Sequence, residues 1–110
     1  MAKYAIFFSY TNESWAHMIK NPSDRAAVAS QIAESLGGSL ESFHWMFGDF
    51  DGIAVANLPD SVSAAAVSIA VASSGAMENA KTTQLFDHDD QEAMLEKAKT
   101  ALSAYHPPSA

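Results

Sequence analysis

Ser39-Leu40-Glu41-Ser42-Phe43-His44-Trp45-Met46-Phe47, then Gly48-Asp49-Phe50-Asp51, then Gly52-Ile53-Ala54-Val55-Ala56-Asn57-Leu58 is the stretch on which the fold turns. Two runs rich in aromatic and β-branched residues flank a Gly/Asp cluster, the pattern of two strands joined by a turn. With Gly48–Asp51 as a four-residue loop, Phe47 pairs with Gly52. Trp45 then faces Ala54 and Phe43 faces Ala56 on one side of the hairpin. On the other, Met46 faces Ile53, His44 faces Val55 and Ser42 faces Asn57. Neither side reads as a solvated face, whereas a sheet with helices on one side only alternates apolar and polar. Both faces of this hairpin need cover.

Upstream, Tyr4–Tyr10 (YAIFFSY) is an aromatic and β-branched strand. Thr11-Asn12 caps a short helix over Glu13–Lys20, which Asn21-Pro22 interrupts. Ser23-Asp24 starts a longer helix in which Val28, Ala29, Ile32, Ala33 and Leu36 recur at helical spacing, and Gly37-Gly38 closes it. Downstream, Pro59-Asp60 opens a helix over Ser61–Ser74 with Gly75 as its stop, and Met77–Phe86 is a fourth strand. Asp87 or Asp89 caps a last helix running to Tyr105. The order is βαββαβ plus a C-terminal helix: an α+β, ferredoxin-like plan with a four-stranded antiparallel sheet. The chain reads as one domain, with a core over about residues 3–104 and a frayed tail at 105–110, where two prolines stop any helix.

These helices are too few to cover both faces of a four-stranded sheet. The simplest cover is a second copy, since a twofold pair needs only one self-complementary patch. We therefore read the protein as a homodimer, with free sheet edges open to further association. The alternative is a monomer whose C-terminal helix folds back over the open face.

Composition narrows the function. With 110 residues, 48% hydrophobic and 17% charged, the chain is of ordinary globular character. A formal net charge of −7 disfavours nucleic acid and anionic membrane surfaces as partners, because phosphate binding needs clustered cations. The absence of Cys removes disulfides, thiol nucleophiles and Cys-ligated metals. No secretory signal opens the sequence, and the longest uncharged run, Ser61–Met77, has 17 residues and five serines, too short and polar for a bilayer span. The expected location is cytoplasmic. There is no phosphate-binding glycine loop, dinucleotide fingerprint, nucleophile elbow or zinc-protease motif, so no cofactor is expected.

Taken in order, these segments resemble the GYD domain family. Gly48-Asp49-Phe50-Asp51 after Trp45-Met46-Phe47 is similar to the motif that names it. Asn21-Pro22-Ser23-Asp24-Arg25-Ala26 resembles the start of its first long helix, and Leu36-Gly37-Gly38-Ser39-Leu40 its helix-to-strand junction. Pro59-Asp60 matches its strand-to-helix turn, and Lys81-Thr82 a basic-Thr pair in its fourth strand. The resemblance spans about residues 3–100 and implies the dimeric α/β-barrel type of ferredoxin-like domain, without implying an activity. Such barrels hold small molecules between sheet and helices. Two positions depart from the family pattern: Phe50 stands where Tyr is usual, and Asn57 where a carboxylate is common.

His44 is the first candidate for chemistry, as a general base or hydrogen-bond donor. It shares its strand face with Ser42, Met46 and, across the hairpin, Asn57; the competing reading is a core histidine bonded to Ser42 or Asn57. Arg25 is suited to clamp a ligand carboxylate, because its fork matches that geometry; a local pair with Asp24 or Glu41 is the plainer alternative. Trp15 and Met18 cover a cavity mouth or the core edge. Asp49 and Asp51 read as turn residues, since two carboxylates fall far short of the six to eight oxygens that Ca²⁺ takes. Asp87-His88-Asp89-Asp90 reads as a helix cap. No metal site is expected. Two functions follow: a homodimeric protein binding a small organic molecule in a mostly apolar pocket without catalysis, or a cofactor-independent isomerase or monooxygenase acting on a small oxygenated substrate with His44 as acid/base.

Overall fold

In the computed structural model, which describes residues 1–108, nine elements follow one another. Strand β1 (Ala2–Tyr10) leads into helices α1 (Asn12–Lys20) and α2 (Arg25–Ser35). The hairpin β2 (Ser39–Trp45) and β3 (Gly52–Leu58) comes next, then α3 (Ser61–Ser73) and β4 (Met77–Leu85). A short 3₁₀ turn (His88–Asp90) precedes α4 (Gln91–Ala104). The sheet is antiparallel throughout in the order β2-β3-β1-β4, the ferredoxin-like arrangement. Tyr105–Pro108 follow α4 without helical structure; the rest of the expected frayed tail lies outside the described residues.

Local chemistry sets the helix starts. Thr11 Oγ1 accepts from the Ser14 amide (3.1 Å), Asp24 Oδ1 from that of Ala27 (3.0 Å) and Asp60 Oδ1 from that of Ser63 (2.8 Å). Each bond satisfies one of the amides that a helix start leaves unpaired. Gly37, at φ 83°, ends α2 in the left-handed region that glycine adopts freely. Asp87 and Asp90 brace the turn before α4: the Asp87 amide donates to Asp90 Oδ2 (3.2 Å), and the Asp90 amide to the Asp87 carbonyl (3.0 Å). The acidic run is thus a cap, as its position predicts.

The hairpin register corrects the expectation. Trp45 pairs with Gly52, His44 with Ile53, Phe43 with Ala54 and Ser42 with Val55. A bulge at Glu41 then brings Leu40 opposite Ala56 and Ser39 opposite Asn57. The loop therefore includes Met46 and Phe47, with the Met46 amide donating to the Asp51 carbonyl (2.8 Å) and the Phe47 side chain wholly exposed. The shift is two residues, so each side chain keeps the face assigned to it; a one-residue slip would have exchanged the faces. Gly52 is required where it stands, because a Cβ there would run into the ring of Phe8.

Alternation along β1 divides the core. Tyr4, Ile6, Phe8 and Tyr10 point to the helix side, packing with Ala54, Ala56 and Leu58 of β3, Ala33 of α2 and Ala64 of α3. Leu58 is the most deeply buried large side chain, 1% exposed. Truncating such a residue to Ala costs about 2–5 kcal/mol. Four of the eight buried residues on this side are alanines, so this core is short of volume.

The opposite face is open. Its middle rows run His44–Ile53–Phe7–Lys81 and Ser42–Val55–Ala5–Thr83, apolar at the centre and polar at both ends. Phe50 leans over it, its ring 5.5 Å from that of Phe7. The C-terminal helix does not fold back to cover this face. Every residue of α4 is exposed, and the radius of gyration is 17.7 Å, against about 13 Å for a compact domain near this length.

Candidate functional site

The core's lack of volume appears as a cavity. Helices α2 and α3 lie over the sheet with a trough of about 310 Å³ between them. Ile6, Phe8, Ala54 and Ala56 form its floor, Val28, Ala29 and Ile32 of α2 one wall, and Val67, Ala70 and Val71 of α3 the other. Of the five residues that recur at helical spacing, Val28, Ala29, Ile32 and Ala33 line the trough, and of these only Ala33 is fully buried.

Five polar side chains reach this lining: Tyr10, Arg25, Ser68, Ser74 and Thr82. Three are occupied with protein partners. Ser68 Oγ and Thr82 Oγ1 are 3.0 Å apart, and Ser74 Oγ donates to the Val71 carbonyl (2.7 Å) and accepts from the Ala76 amide (3.2 Å). The remaining two act on each other: Arg25 Nε donates to Tyr10 Oη (3.3 Å), with the guanidinium carbon 6.0 Å from the Tyr10 ring centre. Arg25 pairs with neither Asp24 nor Glu41; the ion pairs among the described residues join Lys3 to Glu41 (3.2 Å) and Asp87 (3.8 Å).

An aromatic corner lies beside Tyr10. Trp15 packs edge-on to Tyr10 (5.6 Å), and Trp45 lies 5.8 Å from Trp15 and 6.1 Å from Tyr10. Asp51 fastens it, its Oδ2 accepting from the Tyr10 amide (2.9 Å) and from Trp15 Nε1 (3.0 Å). The second Asp of the Gly-Asp-Phe-Asp loop thus ties that loop to the end of β1 and to α1, while Phe50 turns to the open face.

The sequence-derived candidates separate into groups. Arg25 lines the cavity and Trp15 stands in the aromatic corner. His44, Ser42 and Asn57 lie on the open side of the sheet, away from the trough, and His44 is exposed instead of buried in a core. Met46 belongs to the loop. Tyr10 is a residue that sequence reasoning passed over, and Asp51, read there only as a turn residue, reaches beyond the turn to Tyr10 and Trp15. Their signal was present: Tyr10 falls on the same strand parity as Phe8, and Asp51 is the acid next to the strand that receives the loop. Among the described residues, no three His, Asp or Glu side chains converge as metal ligands, and no helix is long and apolar enough to cross a membrane.

A four-stranded antiparallel sheet, two helices over one face and an apolar hollow beneath them define a ferredoxin-like α+β domain with a cavity of ligand dimensions. The chain belongs to the GYD domain family, whose model matches residues 4–95. The crystal structure of At3g17210 from Arabidopsis thaliana shares the fold at a TM-score of 0.51 and 11% identity, over 79% of this chain and 95% of that one. No curated protein is similar enough to count as a match.

Proposed function

We propose that the protein is a homodimer that binds a small organic molecule in the trough between the sheet and helices α2 and α3, without catalysis of its own. The observation that carries the binding reading is the trough itself. At about 24 cal/mol per Å³, an enclosed dry void of 310 Å³ would cost on the order of 7 kcal/mol, comparable with the whole stability of many small domains. The trough opens on one side, but its apolar walls offer water few of the two to four polar partners it needs. An apolar occupant takes those walls out of water.

Two surfaces support the dimer. Phe7, Phe50, Ile53 and Val55 form an apolar centre on the open face, the kind of patch that marks an interaction site. Leu95 and Leu102 of α4, and Tyr105 just beyond its end, are each at least 60% exposed, and a helix of 14 residues is marginal in water without packing. A second copy supplies cover for both.

Native mass spectrometry of freshly purified protein tests the two halves together. A species of twice 11.7 kDa, carrying extra mass that gentle activation releases, is the expected result. A bare monomer at micromolar concentration would remove both.

A further inference from the structure

We infer that the ligand of this cavity is a small apolar monocarboxylate, its carboxylate held by Arg25 and the Tyr10 hydroxyl. The inference rests on the ligand-binding reading above and specifies the chemistry of that same site.

Three observations support it. The first is charge. Arg25 is the one charged side chain on a lining that is otherwise mostly apolar, and no carboxylate of the described residues lies within ion-pair distance of it. Its neighbour Asp24 is engaged at the start of α2, accepting from the Ala27 amide (3.0 Å). A guanidinium beside apolar walls without an acid lacks the partner that would offset its desolvation.

The second is polarity of the hydrogen bonds. A guanidinium has donors and no acceptor. Tyr10 Oη accepts from Arg25 Nε, which leaves its O–H to donate. The pair therefore presents donors only, and the group that answers donors only is an ionised carboxylate, acceptor-only at neutral pH. An amine is excluded by charge. An alcohol or amide brings a donor of its own and no charge to meet Arg25.

The third is size and wall chemistry. A space of about 310 Å³ lies at the small end of the range of small-molecule pockets. Along the rest of its length the lining is apolar apart from Ser68, Ser74 and Thr82, which are neutral and bonded within the protein, so no second charge faces the cavity. The protein's overall charge of −7 does not oppose one anion at this point, because charges farther than a Debye length of ~8 Å are screened at physiological salt.

Octanoate and octanamide, equal in atom count and differing in charge, test the inference by titration calorimetry on the intact protein at pH 7. Octanoate is expected to bind at least tenfold more tightly than octanamide. In Arg25→Met that preference falls to about onefold. Tyr10→Phe, which keeps the ring and removes only the hydroxyl, reduces the preference part of the way and serves as an independent readout if Arg25→Met does not fold. Equal binding of the two probes to the unaltered protein would overturn the carboxylate inference and leave the apolar-cavity reading standing. Binding of neither at millimolar concentration would overturn both.

Discussion

Ala29→Leu probes the trough from the protein side. Ala29 lies on the inner face of α2, half-buried and lining the cavity. Leucine adds three carbons there, and at about 0.8 kcal/mol per buried CH₂ the transfer gain is about 2.4 kcal/mol. Ordering the side chain returns about 0.5–1 kcal/mol, leaving a net stabilisation of about 1.5 kcal/mol. Helix propensity hardly changes, since Ala and Leu are both good helix formers. For a domain of this size the melting temperature should rise by about 6–12 °C. The measurement is a calorimetric melt of protein freed of ligand by unfolding, washing and refolding. The same variant should bind octanoate less well, because the two compete for volume. A fall of several degrees in Tm would refute the reasoning, since over-packing a filled site costs about 1–3 kcal/mol.

Three other outcomes follow from the geometry. On the dimer reading, Val55→Lys places a charge at the centre of the open face and should raise the dissociation constant of the proposed dimer at least a hundredfold, at about 1.4 kcal/mol per factor of ten; light scattering across a dilution series that still reports dimer would contradict it. Asp51→Ala leaves the Tyr10 amide and the Trp15 indole without their acceptor and should cost about 2 kcal/mol, seen as a lower urea midpoint at unchanged slope and a shift in tryptophan emission. The Ser63 amide, and then its hydroxyl, hold the Asp60 carboxyl below its ordinary value of 3.8, so the stability this cap contributes is complete above that value and is lost as pH falls through the depressed one. Asp60→Asn keeps the acceptor without titrating, so its Tm should drop less than the parent's between pH 5 and pH 2; parallel melts that fall together would count against this.

Much of the fold was legible because its signals are local. Thr11, Asp24 and Asp60 mark helix starts by side-chain chemistry that acts over three residues, and Gly37 marks an end by backbone freedom. The hairpin register was not legible in that way. Met46 and Phe47 are apolar and continue the strand's alternation, but strand length also depends on where Asp51 is anchored, and its partners Tyr10 and Trp15 lie about forty residues earlier in the sequence. The bulge at Glu41 has no sequence marker either. Face assignments survived because the shift was even.

The cavity was half legible. Arg25 was identifiable by its type, and the alanines at 29, 33, 54 and 56 were visible, yet their joint consequence depends on how far α2 stands from α3. Small residues facing small residues across a sheet leave space only if the backbones do not close in. Tyr10 went unnoticed because its role is defined by a partner on another element.

The outstretched α4 has a consequence for spectroscopy. On the dimer reading, fourteen residues that are all exposed in a single subunit should lose their helix upon dilution. Ellipticity at 222 nm should therefore depend on how much protein is in the cuvette, and a thermal scan at one concentration would understate or exaggerate the helix content found at another.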